Sequence, residues 1–377
     1  MTTSPSVIDE WLHRCIRCGN CKYVFRDYSP SCPSGERFRF ETYFASGRLR
    51  LAQATKRGLL KWDESLMRPI FACTTCGNCE VQCLAPHREH IVEIIEEMRA
   101  SAVERLGALP SHARLRDSIA NMHNPYNETH HARSLQALHA LPDEAELVYF
   151  VGCTSNYRET VIRDATISVL KKAKVSFTVV DEFCCGSPLL RTGQRDLVAD
   201  LASHNIEQFE AAGASRVVTS CSGCYRTMMR DYRSMGVRPS QRVLHASQLF
   251  NELLEEGRLV PKKGATMLDV TYHDPCHLGR HMKVYDEPRA VLSALPLELT
   301  EMPLIRENAF CCGAGGGVRA AFGEWSLDTA RRRISQAAST GASAVVSACP
   351  FCVRNLRDAA SGSTSVMDLS QVLDNMV

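Results

Sequence analysis

Between residues 90 and 105, apolar side chains recur three and four positions apart. Ile91, Ile94, Ile95, Met98 and Ala102 would share one face of a helix. This stretch closes a first block, residues 1–105, that reads as α-helical throughout. From 106 to 145 the pattern is broken by Pro110, by Asn124-Pro125-Tyr126-Asn127 and by Leu141-Pro142, all turn signals. Leu115, Ile119, Leu135 and Leu138 are nevertheless placed to pack, so this part is expected to be an ordered helical linker, with His130-His131 a surface pair. Beyond 146, short apolar runs alternate with amphipathic stretches. Strands are expected at 146–152, 175–180, 216–220, 267–272 and 345–347, and helices at 158–173, 196–212 and 326–340. The alternation predicts an α/β fold on mainly parallel sheet, with an all-α N-terminal part.

Composition changes the picture in one respect. The apolar and charged fractions, 45% and 23%, are those of a globular protein, but eighteen of the 377 residues are cysteine. The first ten residues are polar and no apolar signal core follows, and no run approaches the length of a membrane span. A secreted disulfide framework therefore fits poorly, and metal-bound thiolates in a reducing, cytoplasmic setting fit well. A net charge of +2 argues against a general nucleic-acid binder. The first 60 residues are more basic, ten Lys or Arg against five Asp or Glu, which suits either an acidic partner or charge balance around anionic clusters.

The cysteines fall into groups with none left over. Cys153, Cys184-Cys185-Gly186 and Cys221-x2-Cys224 recur as Cys276, Cys311-Cys312-Gly313 and Cys349-x2-Cys352 at nearly the same intervals. The repeat predicts two similar lobes, 146–265 and 266–377, related by a pseudo-twofold axis. Adjacent cysteines rarely bond to each other, because a disulfide prefers a longer Cα separation than one trans peptide step. Five thiolates also exceed what one tetrahedral metal or one four-ligand cubane takes. An unusual polynuclear iron–sulfur site in each lobe is the expectation.

Cys15-x2-Cys18-x2-Cys21 and Cys73-x2-Cys76-x2-Cys79 are triples of another kind. In two-cluster ferredoxins such a triple is completed by a remote cysteine from the other motif. Cys15, Cys18 and Cys21 would then share a cluster with Cys83, and Cys73, Cys76 and Cys79 one with Cys32. Pro33 follows Cys32 as the ferredoxin pattern prefers, whereas Leu84-Ala85-Pro86 follows Cys83. Structural zinc usually takes pairs of C-x2-C, so two cubane 4Fe–4S clusters are expected instead.

With these residues in view, essentially the whole chain resembles the heterodisulfide reductases of the D type, a fusion of their C and B subunits. The resemblance implies a helical two-cluster ferredoxin domain over 1–105 and two cysteine-rich CCG lobes. It implies one noncubane 4Fe–4S cluster on Cys153, Cys184, Cys185, Cys221 and Cys224. A second would sit on Cys276, Cys311, Cys312, Cys349 and Cys352, facing the first across the pseudo-twofold cleft. The implied reaction is two-electron reduction of a small-molecule disulfide, or its reverse, fed by the cubane pair. The alternative is a pure relay, as in related subunits of glycolate or lactate oxidation, of electron-transfer-flavoprotein complexes or of aromatic acyl-CoA reduction. The family implies a hetero-oligomer with a FAD flavoprotein, a hydrogenase or formate dehydrogenase module, or a membrane cytochrome b that would hold the chain at a membrane.

Two further signals stand beside the cysteines. His277 and Asp274 in His273-Asp274-Pro275-Cys276-His277 are candidate proton donors. The run Gly313-Ala-Gly-Gly-Gly-Val318 lacks the third glycine of a nucleotide loop and is expected to serve close backbone packing.

Overall fold

The computed structural model describes residues 6–25, 28–129, 136, 139–262, 268–360, 362 and 364–377. The His130-His131 pair, Leu135, Leu138 and Met267 lie outside the described residues.

The first block is made of short helices and 3-10 turns around one long helix, Ile91–Leu106. Its predicted apolar face is buried: Ile91, Ile94, Ile95, Met98 and Ala102 are each at most 2% exposed. They pack on Leu49 of the helix Ala45–Lys56 and on Ile70 and Phe71. Pro110 begins the helix Pro110–Met122, where the missing N–H costs nothing, and Ile119 buries its side chain.

The rest of the chain is two four-stranded parallel sheets. The first comprises β1 (Leu147–Tyr149), β2 (Phe177–Thr178), β3 (Arg216–Thr219) and β4 (Arg242–His245), in the order β2-β1-β3-β4. The second comprises β5 (Leu268–His273), β6 (Leu297–Leu299), β7 (Ala344–Ser347) and β8 (Ser365–Asp368), in the order β6-β5-β7-β8. The topology is the same, as the cysteine repeat requires. β1, β3, β5 and β7 carry the apolar runs that mark fully buried parallel strands.

The lobes also exchange helices. Thr160–Lys172, between β1 and β2, packs on the last helix of the chain, Leu369–Met376. Its counterpart between β5 and β6, Asp286–Ser293, packs on Ala246–Glu255, which follows β4. Each lobe gives the other the same two surfaces, so the pairing is the reciprocal one of a pseudo-twofold axis. Apolar residues of both lobes consequently belong to one continuous core.

Candidate metal centres and the cavity between the lobes

In both sheets the strand order reverses its winding direction between the first strand and the third. In open parallel sheets the crevice at such a point, outside the carboxyl ends of the strands, is where ligands bind. The cysteines are there. Cys153 and Cys221 lie just past β1 and β3, and Cys276 and Cys349 just past β5 and β7. Each Cys-Cys-Gly comes after the edge strand beside the first, β2 or β6, and its glycine takes positive φ, +83° at Gly186 and +86° at Gly313. A Cβ at Gly186 would stand 2.7 Å from Val198 Cγ1, and one at Gly313 2.5 Å from the Ser326 carbonyl. Glycine follows the paired cysteines because the chain turns left-handed against a helix there.

The ten thiols form a continuous line. Cys153 neighbours Cys184, then follow Cys185, Cys224 and Cys221. Cys221 meets Cys349 of the other lobe, and the line continues through Cys352, Cys312 and Cys311 to Cys276. The Cys312 and Cys352 sulfurs are 3.3 Å apart. The second half is the first in reverse, with the Cys221–Cys349 contact at the axis. Hydrogen bonds from neighbouring thiols hold Cys312 and Cys349 well below the ordinary thiol pKa, against the opposing effect of burial.

A cavity of about 340 Å³ opens along this line and is lined by every one of the ten cysteines except Cys311. Cys311 instead faces the first block. It neighbours Cys76, which it draws below the ordinary thiol value, and lies 3.5 Å from the Thr74 hydroxyl. The glycine run beside it packs on the same segment: a Cβ on Gly315 would be 2.8 Å from the Thr74 carbonyl. Close backbone approach, rather than a nucleotide, accounts for these glycines.

His277 lines the cavity, and Asp274 does not. Arg226 Nη1 donates to His277 Nε2 over 3.3 Å, so the ring proton resides on Nδ1. Burial, with Arg226 and Arg191 beside it, pushes the His277 pKa well below that of a free imidazole. Asp274 accepts two bonds from Arg289, at 2.7 and 3.0 Å, and one from the Arg306 N–H. Burial works to raise the Asp274 pKa, but these donors outweigh it and hold the group ionised. Glu182 carries no signal in the sequence. It accepts from the Val151 and Gly152 N–H groups at 2.7 Å, bracing the turn into Cys153, and burial pushes its carboxyl up to about 8.

In the first block, Cys15, Cys18, Cys21 and Cys83 line one small hollow with Leu49 and Ile91. Cys32 lies within electrostatic reach of Cys73, and Cys79 of Cys73 and Cys76.

This arrangement has close counterparts. Two stretches, 147–229 and 270–357, match the family described as the cysteine-rich CCG domain, and residues 11–85 match the 4Fe-4S dicluster domain. The D-type chain of the dihydromethanophenazine:CoB–CoM heterodisulfide reductase of Methanosarcina acetivorans is 34% identical, over 96% of this chain and 92% of its own. The chain belongs to the D-type heterodisulfide reductase family. The family's wider circle includes the EtfAB:quinone oxidoreductase of Syntrophomonas wolfei, 32% identical over 83% of this chain and 47% of that one. A crystal structure of a hypothetical protein from Helicobacter pylori, 9% identical, shares the fold with a TM-score of 0.60 over 97% of this chain and 70% of that one.

Membership implies iron–sulfur clusters, and the buried charges fit them. Arg48, Arg99, Arg280 and Arg333 are each at most 5% exposed, and none is ion-paired with a carboxylate among the described residues, although Glu96 acts on Arg99 and Asp274 and Glu301 on Arg333 from farther off. Arg48 is electrostatically coupled to Cys32, Arg99 to Cys73, and Arg280 to Cys76, Cys276 and Cys311. Nη2 of Arg280 and of Arg333 is buried with no acceptor among the described residues. Cations buried without carboxylates are costly unless another anion answers them. Thiolate-held clusters are such anions. The basic excess of the first 60 residues is partly this, through Arg48.

Proposed function

We propose that this chain reduces a small-molecule disulfide, or oxidises two thiols, in the cavity between its lobes. Two noncubane 4Fe–4S clusters would be held there by the five cysteines of each lobe, Cys153, Cys184, Cys185, Cys221 and Cys224 in the first and their repeats in the second. Cubane clusters would be held by Cys15, Cys18, Cys21 and Cys83, and by Cys32, Cys73, Cys76 and Cys79. The observation that carries the reading is the cavity itself: two equivalent thiol sets open onto one space, where the two sulfurs of a disulfide have one set each to face. The bound clusters supply single electrons and iron with affinity for sulfur. Breaking the S–S bond consumes two electrons and two protons and releases two thiols.

The protein's own residues prepare the site. Tyr126, Phe351 and Leu115 wall the cavity with apolar surface, and Arg354, with no carboxylate partner among the described residues, stacks on Tyr126 at 5.4 Å. His277, with its proton on Nδ1, would hydrogen-bond a departing sulfur from the wall, while Asp274 is taken up by Arg289 away from the cavity. The contact of Cys76 with Cys311 makes the second lobe the neighbour of the cubane pair. Electrons would come from a partner protein, a flavoprotein, a hydrogenase or formate dehydrogenase module, or a membrane cytochrome b; no helix among the described residues is long and apolar enough to cross a membrane.

The likeness to EtfAB:quinone oxidoreductase favours a second reading, a relay between a flavoprotein and another acceptor. Protein purified without oxygen and mildly oxidised separates the two by electron paramagnetic resonance. Disulfide chemistry predicts a new signal that appears only with a cognate thiol, coenzymes M and B being the first to try. Silence toward every thiol, with all clusters present by iron content, selects the relay.

A further inference from the structure

The lobes repeat their cysteines but not the residue three positions before the first of each set. His273 precedes Cys276, and Phe150 precedes Cys153. The sheets place them equivalently. His273 pairs with Ser347 on β7, and the Tyr149–Val218 pairing on β3 sets Phe150 against Thr219, the counterpart of Ser347. Phe150 packs edge-on against Phe209 and offers its surroundings no donor.

His273 is 1% exposed. The Arg333 Nε–H donates to its Nδ1 over 3.1 Å. A guanidinium only donates, so Nδ1 accepts and the ring's proton sits on Nε2. That atom is buried and has no hydrogen-bond partner among the described residues. His273 does have sulfur beside it, sharing a neighbourhood of 4.8 Å with the sulfurs of Cys312 and Cys352.

We propose that His273 donates its Nε2–H to the Cys312 sulfur and holds the second-lobe cluster at a higher reduction potential than the first-lobe cluster. The inference rests on the reading of each five-cysteine set as cluster ligands. A hydrogen bond to a ligating sulfur withdraws charge and favours the reduced, more negative state. Direct iron ligation through Nε2 would put the proton on Nδ1, where it would oppose the Arg333 Nε–H. The arginine therefore selects the donor role. The two centres, equal in their cysteines, become unequal in energy. The one beside Cys76 is the easier to reduce and takes the first electron.

Redox titration of the full chain, loaded with all its iron and followed by paramagnetic resonance, tests this. His273→Phe, which copies the first lobe, is expected to make reduction of the second-lobe cluster about tenfold less favourable, ~59 mV for one electron, with the other three unmoved. His273→Gln keeps an N–H and is expected to recover part of the shift. An unmoved potential in fully loaded His273→Phe overturns the proposal. Because that variant strands the Arg333 Nε–H and can fail to fold, wild-type protein labelled with ¹⁵N-histidine provides a second test. Pulsed resonance should find at the second-lobe cluster an exchangeable proton and a weak nitrogen coupling that labelled His273→Gln loses, and either no such coupling or the strong coupling of an iron ligand overturns the proposal. Failure of the underlying reading looks different: Cys312→Ser would then leave every cluster signal intact, and the inference would fall with it.

Discussion

A histidine sealed in a protein without a carboxylate resists protonation, and His112 is such a residue. It is fully buried and joined through Nε2 to the Gly317 carbonyl at 2.9 Å, with Nδ1 unpartnered among the described residues. Burial lowers its pKa to about 4; the Gly317 bond opposes this and Arg99 adds to it. The unfolded chain takes up a proton near pH 6.5 that the folded chain refuses until about 4, so stability is present above pH 6.5 and lost as pH falls toward 4. By pH 5 the loss is about 2 kcal/mol. Urea unfolding of the loaded protein should show its midpoint falling between pH 6.5 and 5, and His112→Gln should flatten that fall. Nothing in the sequence around His112 separates it from the surface histidines, because its neighbours come from residues far away in the chain. The cysteines are legible for the opposite reason, since their spacing is local.

At the scale of elements, apolar runs mark β1, β2, β3, β5 and β7 and leave β4, β6 and β8 unmarked. β4 and β8 pass directly into helices, and β6 is a half-buried strand at the sheet edge. A signal is present all the same. His245-Ala-Ser-Gln248 and Asp368-Leu-Ser-Gln371 are both capping boxes, each with its glutamine returning a bond to the cap. They occupy equivalent places in the repeat. The glycine run after Cys312 is the packing device its pattern predicts, but the surface it packs on lies in another part of the chain. A Cβ at Gly316 would stand 2.3 Å from the Cys73 carbonyl, at a φ of +64°. Gly316→Ala should therefore push the loop off the Cys73–Thr74 segment and cost about 2 kcal/mol or more. Thermal unfolding and iron retention of the purified variant measure this; an unchanged melting temperature would show that the loop yields freely.

Across the whole molecule, two side chains of the helix Ile91–Leu106 tie the first block to both lobes. Arg99 donates to the carbonyls of Ile70, Phe71 and Cys73, to Arg191 in the first lobe at 2.6 Å and to Gly316 in the second at 2.9 Å. Glu96 accepts from Arg191 at 2.5 Å and from Arg226 at 3.4 Å, and Arg226 in turn holds His277. Glu96→Gln leaves Asp231 as the remaining carboxylate on these two buried arginines, and a loss of about 2–3 kcal/mol is expected in denaturant unfolding. Its effect should extend to the cavity, because the same arginine orients His277. The sequence by itself determined the α/β class, the helical first part, the twofold repeat and the grouping of all eighteen cysteines, because periodicity and spacing are properties of neighbours along the chain. Only the tertiary structure decided that Cys221 meets Cys349, that Cys311 alone of the ten turns toward Cys76, and that four arginines are buried among the thiols. Only there does His273 differ in consequence from Phe150. Those relations join residues tens to hundreds of positions apart, and packing, not local pattern, brings them together.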